Sequence, residues 1–186
     1  INTTLPEPIA DLRAPASAKF ITPEADREGL VLLQQLNRTH LEANDHDSRL
    51  ESRIKSYELA AKMQLSAPEA FDLSKETAEV QQMYGLQDKP TEDFGKRCLL
   101  ARRLIERGVR FVQVWSGAGG PSNNWDNHGS IVNELAPMCL STDKPIAALL
   151  TDLKQRGLLE DTLVLWNTEF GRMPFSQGSQ GRDHNG

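Results

Sequence analysis

Several things are scarce in this sequence, and each scarcity excludes something. No apolar run approaches the ~20 residues needed to span a bilayer as a helix. There are two cysteines, Cys98 and Cys139. They lie far apart, in helix-like surroundings and without CxxC spacing, so they read as buried thiols rather than as a zinc or redox motif. Positive charge is not in excess: the 186 residues carry a formal net charge of -5. That balance supplies no general attraction to nucleic acid. No GxSxG elbow and no phosphate loop occurs, and Gly117-Ala118-Gly119-Gly120 has the wrong spacing for a dinucleotide fingerprint. No internal repeat or low-complexity tract is evident. With 38% hydrophobic and 25% charged residues, the composition is that of a soluble globular chain rather than a disordered one. The ends read as internal to a longer protein. Ile1 is not an initiator methionine, and the closing Arg182-Asp183-His184-Asn185-Gly186 is dense in functional residue types.

What is present divides into three stretches. Residues 1–21, with Pro6, Pro8 and Pro15, read as an extended connector. Residues 22–107 read as helical. Thr22-Pro23-Glu24 is a helix start, with Thr as cap and Pro at the first helical position. Leucines at near-helical spacing carry that helix to about Leu41, and a second helix runs over about 48–65 until Ser66-Ala67-Pro68-Glu69. A short helix ends at Gly85, and another opens at Thr91-Glu92-Asp93 and stops at Gly108. Residues 108–186 change texture. Val109–Trp115 (VRFVQVW) and Leu163–Trp166 are rich in β-branched, aromatic and aliphatic residues and read as strands, with a helix of about 143–156 between them. Strand, crossover helix and strand predict a parallel βαβ unit in an α/β fold, covered by the helical region.

In an open parallel sheet, ligands bind beyond the carboxyl ends of the strands. The loop after the first strand contains Trp125-Asp126-Asn127-His128-Gly129. The loop after the second begins Glu169-Phe170-Gly171-Arg172 and continues to Asp183-His184. Asp126 and His128 are two apart, so in an extended segment both side chains point the same way, as two ligands on one metal require. Carboxylate oxygen with imidazole nitrogen suits Zn, Mn or Fe, and further carboxylates favour Mg or Ca. A salt bridge of Glu169 with Arg172 explains those two residues equally well. Of the remaining histidines, His40 and His46 fall in the helical region and read as solvated.

Three segments carry a family resemblance: WDNHG, LLTDLKQRGLLEDTLVLWNTEFGRMP and GRDHN. With LNRTHLE and CLLARRLIERGVRFVQV, they resemble secreted bacterial sulfatase-like proteins of a domain-of-unknown-function family within the alkaline phosphatase superfamily. One departure is Met173, where the relatives usually carry Thr before the proline. The resemblance implies part of an alkaline phosphatase-like α/β sandwich, periplasmic or secreted. It also implies a site with two divalent cations of Zn, Ca, Mg or Mn. Asp126, His128 and His184 would be metal ligands, and Glu169 an acidic ligand after the strand. Asp183 would be a ligand or would orient His184, and Arg172 would hold the substrate oxyanion or lock Glu169. The implied substrate is a small anionic ester or sulfated saccharide. The nucleophile would lie ahead of Ile1, so this chain alone is expected to be inactive. The competing expectation is a non-catalytic surface or carbohydrate-associated binding protein on the same fold.

Overall fold

The computed structural model describes residues 9, 17–45, 47–117, 124–168 and 170–186. The chain falls into two compact units, Ile1–Phe71 and Asp72–Gly186.

The first unit is built on two helices, α1 (Pro23–Ala43) and α2 (Ser48–Phe71). The expected start of α1 forms as the sequence dictates: the Thr22 hydroxyl accepts a hydrogen bond from the Ala25 N–H at 3.1 Å. The Asp47 carboxylate accepts from the N–H groups of Arg49 and Leu50 at 2.9 and 3.3 Å, which fixes the entry to α2. Pro68 does not stop α2, which continues past it to Phe71. The Ser66 hydroxyl turns back onto the Met63 carbonyl at 3.1 Å, within this last stretch of the helix.

The second unit holds α3 (Ala78–Met83), α4 (Glu92–Glu106) and α5 (Ile131–Gln155), with short 3-10 turns at Leu73–Lys75 and Leu159–Asp161. α4 packs along α5, and Tyr84, Cys98, Leu99 and Ala148 form the centre of the core. Val80, Met83, Leu86, Phe94 and Val114 pack around it. Burying apolar side chains of this size contributes roughly 1.5–3 kcal/mol each. Cys98 is a free, buried thiol whose pKa burial pushes up to about 12, so it is inert packing. Cys139 is also free, and partly buried. Gly108, at φ 83°, closes α4 in the left-handed conformation the sequence anticipates.

The described residues do not form the expected parallel βαβ sandwich. Among the described residues, the strands are β1 (Gly171–Arg172) and β2 (His184–Asn185), a single antiparallel pair with Gly171 opposite Asn185 and Arg172 opposite His184. The runs 109–115 and 163–166 form no strand ladder. Phe111, Trp115, Leu163, Leu165 and Trp166 are exposed. The alkaline phosphatase-like α/β class is therefore overturned in favour of a mostly helical chain. The reason is that β-branched and aromatic content records fitness for a pleated, half-buried surface, not an intrinsic backbone preference. A strand exists only when another backbone supplies its ladder, and here neither run pairs with the other. The helix expected over 143–156 begins twelve residues earlier, at Ile131, and runs through Pro137 and Pro145.

Candidate metal centre

Two loop segments and the β1–β2 pair build the site. Residues 127–131 and 180–182 zip together: Arg182 N–H donates to the Asn127 carbonyl at 2.8 Å, Gln180 N–H to Gly129 at 3.1 Å, and Ile131 N–H to Gln180 at 3.1 Å. This contact requires glycine at position 181, where a Cβ would lie 2.1 Å from the His128 carbonyl carbon. Opposite residues in an antiparallel pair project to the same side, so Arg172 and His184 reach the same space.

In that space the side chains of Asp126, His128 and His184 converge. His128 Nε2 and His184 Nε2 each lie 2.9 Å from Asp126 Oδ1, and the two nitrogens are 3.1 Å apart. Tetrahedral zinc with bonds of about 2.0–2.1 Å sets its ligand atoms roughly 3.3 Å from one another. The triangle is thus within a few tenths of an ångström of what one small cation needs, and the donor set of two imidazoles and one carboxylate suits Zn, Mn or Fe. The side chains of Asp126, His128 and His184 are 45%, 40% and 49% exposed, which leaves a face of the triangle open.

Asp183 stands behind His128. Its Oδ1 lies 2.9 Å from His128 Nδ1 and accepts from the Ser176 hydroxyl at 2.8 Å, while Oδ2 accepts from the Gln177 N–H at 3.0 Å. The Gln177 amide, the Ser176 hydroxyl and His128 hold the Asp183 carboxyl below its ordinary range, so it is ionised and can only accept. His128 Nδ1 must then carry the proton. In neutral His128 this leaves the Nε2 lone pair directed at the cluster, which is how carboxylate–histidine–metal arrangements fix a ligand's tautomer. Asp183 therefore orients His128, not His184 as one of the sequence expectations had it.

Arg172 closes the cluster. Its Nη1 donates to Asp126 Oδ1 at 2.6 Å and lies 3.5 Å from His128 Nε2. The hydrogen bond from His184, and then that from Arg172, hold the Asp126 carboxyl down at about 2. Phe170 flanks the site, with its ring 4.3 Å from that of His184 and 5.4 Å from the Arg172 guanidinium carbon.

Of the residues singled out from sequence, the structure brings Asp126, His128, Arg172, Asp183 and His184 together. Glu169 lies outside the described residues, as do His46 and the glycine loop over 118–120. His40 sits in the last turn of α1 and is exposed. Trp125 turns its indole N–H to the Ser116 hydroxyl at 2.5 Å. Sequence reasoning missed Ser176, Ser179 and Gly181. Ser179 donates to the His128 carbonyl, and its Oγ lies 2.8 Å from Ser176 Oγ. The run Ser176-Gln177-Gly178-Ser179-Gln180-Gly181 was the available signal, since serine and glycine so dense mark a tight turn with side-chain-to-backbone bonds.

A mostly helical chain with one Asp–His–His cluster on looped segments defines the class. The chain belongs to the family described as Protein of unknown function (DUF1501), whose model matches residues 3–186. No curated protein and no solved structure matches it.

Proposed function

We propose that this chain carries a divalent-cation centre of a hydrolase acting on sulfate or phosphate esters. The observation that carries the reading is the triangle of His128 Nε2, His184 Nε2 and Asp126 Oδ1, with separations of 2.9, 2.9 and 3.1 Å. The resemblance of the WDNHG, EFGRMP and GRDHN segments to secreted sulfatase-like proteins supports the same chemistry. So does Arg172 beside the ligands, because a guanidinium fork matches tetrahedral oxyanions.

A bound divalent cation would act as a Lewis acid on the ester and lower the pKa of a bound water. The chain's own residues do the rest. Asp126, His128 and His184 hold the cation, and Asp183 keeps the His128 lone pair turned toward it. Arg172 brings positive charge to the developing oxyanion, the kind of contact that stabilises charge where it forms in the transition state. Substrates of this class are small anionic esters or sulfated saccharides, and the sulfatase-like resemblance extends to a periplasmic or secreted setting. Among the described residues no helix is long and apolar enough to cross a membrane.

The test is hydrolysis of aryl sulfate and aryl phosphate by the longest native form of the protein, before and after chelation. Activity should vanish on chelation, return with Zn or Mn, and be absent from Asp126→Ala and His128→Ala. Turnover that ignores chelation sinks the metal reading. Stoichiometric metal without turnover of either ester would instead indicate a metal-bearing binding protein.

A further inference from the structure

Arg172 is doing something in this site that an anion-binding arginine alone would not. Its Nη1 sits on Asp126 Oδ1 at 2.6 Å and within 3.5 Å of His128 Nε2. Those are two of the three atoms whose lone pairs a cation would take. The guanidinium therefore covers the electrons of the metal site. A divalent cation on the same atoms would stand within a few ångströms of a positive charge, and like charges at that separation repel. The backbone of Arg172 is paired with that of His184 in the β1–β2 ribbon. It is the side chain that would swing aside. Its guanidinium carbon lies 5.4 Å from the Phe170 ring centroid, so an aromatic face stands next to it on the edge of the cluster.

We propose that Arg172 competes with a cation for Asp126 and His128 and becomes an anion-binding group when a cation displaces it, so that cation and tetrahedral oxyanion bind in that order and reinforce each other. The inference rests on the metal reading above and adds an order and a coupling to it. In the metal-free chain, the N–H groups of Arg172 nearest the cluster are committed to Asp126, and sulfate finds a neutralised arginine. In the loaded chain, Asp126 is committed to the cation. The fork of Arg172 then faces the open side of the triangle beside that cation, and an oxyanion is held from two directions. A positive charge that competes for the ligand atoms in one state and binds the substrate in the other makes the two affinities linked.

The experiment is calorimetric titration of the full chain with zinc chloride alone, and with sodium sulfate in the absence and presence of zinc. It is carried out on the wild type and on Arg172→Gln. Wild type should bind one zinc, and zinc should tighten sulfate binding at least tenfold. By reciprocity, sulfate should tighten zinc binding by the same factor. Arg172→Gln should bind zinc about threefold more tightly, the scale of a half-exposed ion pair removed as a competitor. It should also lose the zinc-dependent gain in sulfate affinity. Equal or weaker zinc binding by Arg172→Gln overturns the competition, as does wild-type sulfate affinity that zinc leaves unchanged, and either result leaves the metal reading standing. Failure of the wild type to bind zinc, manganese or iron(II) overturns both. Because the sulfate series is read on the unmodified chain, the outcome does not depend on the variant folding.

Discussion

Two clusters in the second unit use the same side-chain chemistry to opposite ends. One gathers Arg102, Arg103 and Arg156 with Glu76, Glu106 and Asp152 between α4, α5 and the turn before α3. Arg102 meets Glu76 at 2.6 Å, Glu106 at 2.5 Å and Asp152 at 2.9 Å, and Arg156 adds Asp152 at 2.6 Å and Glu106 at 2.7 Å. Arg103 also binds Glu76, and the Tyr84 hydroxyl donates to Asp152 at 3.0 Å. Only 2% of the Arg102 side chain is exposed. The other cluster is Asp126, His128, His184, Arg172 and Asp183. There the side chains of Asp126, His128 and His184 are nearly half exposed, and their Oδ1 and Nε2 atoms converge with a single guanidinium on Asp126. In the buried cluster three guanidinium groups and three carboxylates pair with one another in equal number. In the exposed cluster two carboxylates and two imidazoles outnumber the one guanidinium. Charge balance and burial, rather than residue type, separate a structural clamp from a site.

The contrast can be broken most sharply at Arg102. Arg102→Met leaves Glu76 and Asp152 with fewer counter-charges in a dry environment, and breaking a buried pair costs about 3–5 kcal/mol. The urea midpoint of the chain should fall accordingly, while zinc affinity measured on the folded protein stays as it was. At the other cluster, Asp183→Asn should do the reverse. Losing the partner that orients a ligand histidine lowers metal affinity by roughly 10–100-fold. Zinc titration should read that loss with the urea midpoint little changed. A large fall in stability without a fall in zinc affinity would move Asp183 into the structural class.

Acid should act first on the clamp's contribution to stability. Burial pushes the Glu76 carboxyl up, but the hydrogen bonds from Arg102 and Arg103 outweigh it and hold the group below its ordinary range. A carboxyl depressed in the folded state contributes stability that is fully present above its unfolded pKa of about 4.3. That contribution is lost as pH falls from there through the lower folded value. The urea midpoint should therefore be flat from neutrality to about pH 5 and decline below about pH 4. Glu76→Gln should flatten part of that decline, and an unaltered acid profile would remove Glu76 from the clamp's acid sensitivity.

The helix ends were readable because they are local. Thr22 as a cap, Gly108 as a stop and the opening of α4 at Thr91 each depend on a few neighbouring residues. One detail differs at Thr91. Its hydroxyl does not cap α4 but donates to the Gly85 and Asp88 carbonyls at 2.7 and 3.2 Å, tying the loop before the helix. Pro68 misled for the opposite reason. It is a local veto on a helix, yet α2 runs through it, because neighbouring turns and packing outweigh one lost hydrogen bond. Residues 109–115 and 163–166 misled most. Their composition suits a buried strand, but a ladder is a property of two segments, and no single run contains it.

By itself, the sequence determined that Asp126 and His128 share one short segment, that Asp183 and His184 are adjacent, and that both sets are flanked by the glycines and serines of tight turns. Those are covalent facts, and they nominated the side chains that the structure brings together. Only the tertiary structure decided how they meet. It turned Asp183 behind His128 rather than His184, joined 127–131 to 180–182 through the space that Gly181 leaves, and set Arg172 across from His184 on a two-stranded ribbon instead of at the edge of a parallel sheet. The physical reason is range. Spacing along the chain fixes which residues can act together locally, but the convergence of ligand atoms from positions more than fifty residues apart is set by backbone pairing that no local pattern encodes.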